Sequence, residues 1–152
     1  MTAQLPSKDL LLEACTGLVV HPHPILRAAY QLASLHEARR ATDAPPITEI
    51  DSARAALTRD VDRWIARELP RPHAAATLHT ETVGMVVDRI ARYSVDAHSA
   101  LDHPDSATAL HYAWQRLVEL SLAYADLAHD LTERTRRIPD CLTPQPDDLQ
   151  PQ

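Results

Sequence analysis

"ATALHYAWQRLVELSLAYADLAHDLTERTR", residues 107–136, repeats its apolar residues on a three-four spacing: Leu110, Trp114, Leu117, Leu120, Tyr124, Leu127 and Leu131. Residues at that spacing share one stripe of an α-helix, because each successive side chain turns about 100° around the axis. At a rise of about 1.5 Å per residue the segment would reach roughly 40 Å. An amphipathic helix of this length gains most of its stability from packing its stripe against other elements. The rest of the chain should therefore supply helices of similar length.

Prolines and glycine divide the preceding residues into such helices. Ser7 is placed to cap a short helix over residues 8–16, which Gly17 ends. "HPHP" at 21–24 breaks the chain, since proline pushes its predecessor out of the helical region. Pro24 then suits a helical first turn, and Ile25, Ala29, Leu32 and Leu35 predict a helix to about Arg40. After "TDAPP", Thr48 and Asp51 have the spacing of a capping box. The helix they would open carries Ile50, Leu57, Val61, Trp64 and Ile65 and stops at about Leu69, before "PRP". A further helix is expected from Glu81 to about Leu101, with "DHPDS" as the next turn. No strand-like alternation or internal repeat occurs. The expectation is an all-α, up-and-down four-helix bundle over residues 1–138, with a short extra N-terminal helix. The Pro-, Gln- and Asp-rich stretch 139–152 is expected to be a disordered tail.

Composition agrees with a helical globular domain. Of 152 residues, 45% are hydrophobic and 24% charged; there are two glycines and no phenylalanine. Lys8 is the only lysine beside fourteen arginines, the imprint of a GC-rich genome. A net charge of −6 disfavours a general nucleic-acid binder, although it leaves room for a local basic patch. Cys15 and Cys141 lack metal-binding spacing and fit a reducing cytoplasm. The first residues lack a signal peptide's basic start, and no stretch approaches the roughly 20 apolar residues of a membrane span. Neither a membrane nor a nucleic-acid partner is expected.

Two segments carry a family resemblance. "EIDSARAALTRDVDRWI" (49–65) and "LHTETVGMVVDRIARYS" (78–94) resemble the bacterial helical family called domain of unknown function 4254. The matching positions are Ile50 with Asp51, Arg59 with Asp62, Thr80 to Thr82, and Val87 to Ile90, within a likeness over roughly residues 24–135. The resemblance implies a helical fold and no particular activity.

Candidate chemistry concentrates in the same segments. On the helix after Thr80, the residues Val83, Val86, Val87, Ile90, Ser94 and Ala97 share a core stripe. Glu81, Asp88 and Arg92 fall opposite, with Arg89 beside them. That flank is either a solvated face, with Asp88 and Arg92 as an ordinary i,i+4 pair, or a surface covered by a cleft or second subunit. Gly84 on its border would let another backbone approach closely. Asp51 and Asp62 align on one flank of the preceding helix. Asp51, Asp62, Glu81 and Asp88 together are the only set expected to hold a divalent metal, if any is held, because hard cations favour carboxylate oxygens. The paired Glu-x-x-His of di-iron bundles is missing. His36 continues the stripe of Ile25, Ala29 and Leu32, where a histidine is a satisfied core or interface residue more often than a ligand. Arg92 and His98 have the loose spacing of HEPN-type helical RNases, which the negative charge argues against. The expected role is therefore non-catalytic binding or protein interaction by a homodimer without a cofactor. Its site would include His36, Asp51, Asp62, Glu81, Asp88, Arg89 and Arg92, and its partner would be a protein or a small molecule. The alternative is a metal-dependent enzyme with a carboxylate-lined site between the second and third long helices.

Overall fold

A computed structural model describes residues 3–103 and 105–140. Five helices account for nearly all of its regular structure: α1 (Lys8–Cys15), α2 (Pro24–Arg40), α3 (Ile47–Glu68), α4 (Val83–Asp102) and α5 (Ala107–Thr132). The protein is all-α. Two-residue strands β1 (Thr77–Leu78) and β2 (Arg136–Arg137) form one parallel bridge, with Thr77 opposite Arg136. Residues 141–152, including Cys141 and nearly all of the expected tail, lie outside the described residues.

Local chemistry explains where these helices begin and end. The Ser7 side chain accepts from the Leu10 N–H, and Gly17 at φ 105° closes α1, its N–H donating to Ala14 O and the Leu18 N–H to Glu13 O. Pro24 occupies the first turn of α2, as expected, while the His23 ring caps it. The expected capping box at Thr48 does not form. Helix α3 begins at Ile47 behind Pro46, two residues earlier than a Thr48 cap would place it, and without a side-chain cap. Glu81 likewise precedes α4, because the Thr82 hydroxyl takes the capping position and accepts from the Met85 N–H.

Helix α5 ends at Thr132, four residues before the expected end. Arg134 adopts φ 66°, and the Thr135 N–H bonds to Asp130 O while the Arg134 N–H bonds to Leu131 O. This is a Schellman closure with arginine in the left-handed position that glycine usually fills. It turns the chain into β2.

Helix α4 is the axis of the molecule and packs against each of the other four helices. Consecutive long helices pair, α2 with α3, α3 with α4 and α4 with α5, and α1 touches α2, α4 and α5. The predicted α4 stripe is buried throughout: Val83, Val86, Val87, Ile90, Ser94 and Ala97. On α5, Leu117, Tyr124, Leu127 and Leu131 are buried, whereas Leu110, Trp114 and Leu120 are only half-buried. Tyr124 also donates its buried hydroxyl to Pro6 O at 2.7 Å, tying the chain start to the middle of α5. No helix among the described residues is long and apolar enough to cross a membrane.

Candidate functional site

Helices α3 and α4 approach so closely that Gly84 has no room for a side chain. A Cβ there would overlap the Thr58 carbonyl and lie 2.8 Å from Thr58 Cγ2 and 2.9 Å from Asp62 Oδ1. The close backbone approach expected of Gly84 is what the structure shows. It brings the Asp51–Arg54–Thr58–Asp62 flank of α3 against Gly84 and Asp88 on α4.

At one end of this seam, side chains from three helices meet. His36 Nε2 of α2 lies 2.8 Å from Asp88 Oδ1, and Arg54 of α3 grips the same carboxylate with Nε at 3.2 Å and Nη2 at 2.6 Å. Arg54 Nη1 also donates to Asp51 at 3.1 Å. His36 is 4% exposed and the Asp88 side chain 16%, so Asp88 does not lie on a solvated face. Burial pushes Asp88 up, but the hydrogen bonds from His36 and Arg54 outweigh it and hold the carboxyl below its ordinary range. Arg54 is held above its ordinary value, chiefly by its bond to Asp88.

Asp62 answers to a different partner farther along the seam. Its Oδ1 accepts from the Gly84 N–H at 2.8 Å, and the Thr82 hydroxyl donates to the same carboxyl. The residue is 6% exposed and has no ion-pair partner among the described residues. Burial accordingly pushes Asp62 up, against those two hydrogen bonds.

The remaining expected site residues disperse. Glu81 pairs with Arg89, both partly exposed. Arg92 is exposed and lies 4.0 Å from Asp96, not paired with Asp88. His98 bonds to Ser94 O and packs against Trp114, so it forms no unit with Arg92. Each of the four carboxylates considered for a metal thus faces a protein donor, Asp51 and Asp88 sharing Arg54. Among the described residues no cluster of three or more metal-ligating side chains forms.

Two hollows flank the His36–Asp88–Arg54 network. One, about 440 Å³, lies along the seam and includes Asp51, Arg54, Arg59, Asp62, Met85 and Asp88. The other, about 310 Å³, is lined by His36, Arg39, Arg40, Arg92 and Asp96. Arg40 is held there by Asp96 at 2.8 Å and by the Ser99 hydroxyl at 3.0 Å. The sequence reading included Arg92 but passed over Arg54, Arg39 and Arg40. Arg54 could have been found on the flank it shares with Asp51, Thr58 and Asp62. Arg39 and Arg40 give no such signal, because Arg92 reaches them only through the packing of α2 on α4.

The fold and seam define a small all-α domain whose interior polar residues bind its helices to one another. Residues 31–139 match the model of a family described as "Protein of unknown function (DUF4254)", and the chain belongs to that family. No curated protein and no solved structure matches the chain.

Proposed function

We propose that the protein is a non-catalytic binding module, acting as a homodimer, that takes a phosphate- or carboxylate-bearing partner in the arginine-lined hollow above His36. The observation that carries this reading is charge placement. A chain of net charge −6 gathers Arg39, Arg40 and Arg92 around one concavity, with Asp96 as the only carboxylate lining it among the described residues. Guanidinium groups match such anions with paired N–H donors. The seam carboxylates favour binding over chemistry, since their partners lie within the protein. A metal-dependent reaction would need several of them turned on one point, whereas Asp51 and Asp88 are held by Arg54, Asp62 by the Gly84 amide and Glu81 by Arg89.

Support for the homodimer comes from α5. The helix makes no packing contact with α2 or α3, and Tyr112, Val118 and Leu122 each leave more than half of their surface exposed. The same reading takes α2 to α5 as an up-and-down bundle, supported by the pairing of consecutive helices. It also places the protein in the cytoplasm, consistent with Cys15 as a buried free thiol that burial pushes up to about 12.

Calorimetric titration with pyrophosphate tests the hollow. The parent protein should bind it with an affinity that falls as salt rises, and Arg39→Ala with Arg92→Ala should weaken binding by at least about tenfold. Absence of binding by the parent, or equal binding by the double variant, would contradict the anion reading. Sedimentation of Leu122→Glu tests the dimer: the parent should sediment as a dimer and the variant as a monomer. A monomeric parent would contradict self-association.

A further inference from the structure

Beyond the seam, where α3 ends, a second cavity of about 230 Å³ has a different character. Ile65 of α3, Leu69 just past its end, Leu131 of α5 and Ile138 after β2 give it apolar walls. Asp62 and Asp140 also line it, and Asp62 is 94% buried by its 6% exposure and lacks an ion-pair partner among the described residues. The Gly84 amide and Thr82 hydroxyl orient the group. The hydroxyl is itself held, since it accepts the Met85 N–H that starts α4.

Three arginines line the cavity, Arg71, Arg136 and Arg137, and the last two are engaged elsewhere. Arg136 reaches Asp130 at 3.3 Å, and Arg137 Nε donates to Ala76 O at 3.2 Å. A carboxylate removed from water is costly without a counter-charge, and one set in an apolar cavity favours a ligand that brings that charge with it. Size agrees with a small organic molecule, because a cavity of roughly 150 Å³ already accepts a benzene ring.

We propose that this cavity binds a small primary amine with an apolar body, its ammonium paired with Asp62 and its ring or chain against Ile65, Leu69 and Leu131. The amine supplies the positive charge that the Gly84 amide and Thr82 hydroxyl do not. An acidic ligand of the same size seated against Asp62 would be repelled by that carboxylate. This site is separate from the arginine hollow, and either one can fail without the other.

Calorimetry with 2-phenylethylamine tests the proposal, with 2-phenylethanol and phenylacetate as charge controls. The parent should bind the amine at least about tenfold more tightly than either control. Asp62→Asn should lose that preference while retaining the helical circular dichroism of the parent. Ala66→Trp provides an independent check: residue 66 lines the cavity from an exposed position on α3, so the indole can fill the space without entering the core. It should weaken amine binding at least about tenfold with the fold intact. Failure of the parent to bind the amine, equal binding of phenylacetate, or unchanged amine binding in Ala66→Trp would overturn the proposal. So would unchanged binding in a folded Asp62→Asn protein.

Discussion

His36 Nε2 and Asp88 Oδ1 lie 2.8 Å apart, although 52 residues separate them in the chain. With Arg54 on the other side of the carboxylate, this contact links α2, α3 and α4 through one buried charge. The two hollows open beside it, and the network fixes Arg54 in the wall of the one along the seam.

The close crossing of α3 and α4 depends on the absence of a side chain at residue 84. Gly84→Ala removes a helix-interior glycine, a change that ordinarily favours a helix by roughly 1 kcal/mol. Here the added methyl meets the Thr58 carbonyl, a backbone atom that cannot swing aside. The variant should therefore lose about 2 to 3 kcal/mol by urea unfolding. A gain in stability would show that the helices separate more freely than the seam implies.

At the end of α5, Arg134 occupies a left-handed conformation at φ 66°. Comparing Arg134→Gly with Arg134→Ala isolates that backbone preference, because both variants also lose the 2.6 Å bond from Nε to Arg71 O. The glycine variant should be more stable than the alanine variant by about 1 kcal/mol in thermal or urea melts. Equal stabilities would place the turn in another conformation.

Asp88 and Asp62 should respond to pH with opposite signs. The Asp88 carboxyl is held below its ordinary range, so its contribution is present above the unfolded value of about 3.9 and fades as pH falls through the lower folded value. For Asp62, burial raises the folded value, so its contribution is present below about 3.9 and is lost as pH rises through that raised value. Urea midpoints between about pH 3 and 7 should show the stability deficit of Asp88→Asn shrinking as pH falls below about 4. Asp62→Asn should instead improve relative to the parent as pH rises above about 4. Parallel curves for both variants would contradict the two environments.

Helices were legible in the sequence where their signals are local. Pro24 and Gly17 mark boundaries through their own backbone restrictions, and the α4 stripe follows from residues within one helix. The start of α3 was missed by two residues because Pro46 begins the helix without the side-chain cap that Thr48 seemed to offer. The end of α5 was missed because arginine stands where a glycine would have announced the turn. At the site, Asp62 and Asp88 were legible as residue types on helix flanks, but their partners were not. Arg54 reaches Asp88 across 34 residues, and no local period records which face of α3 meets which face of α4. Gly84 was the one local residue that pointed to their approach.

The most direct test of the network is unfolding of Asp88→Ala in urea at neutral pH. Removing this carboxylate leaves the guanidinium of Arg54, only 24% exposed, and the buried His36 without their shared acceptor. Because the site is partly open to water, the loss should lie near the lower end of the range for broken buried pairs, about 3 kcal/mol. That loss, with the helical signal retained before the transition, is the predicted result. A change within about 0.5 kcal/mol would match an ordinary surface substitution and contradict the claim that Asp88 holds the three helices together.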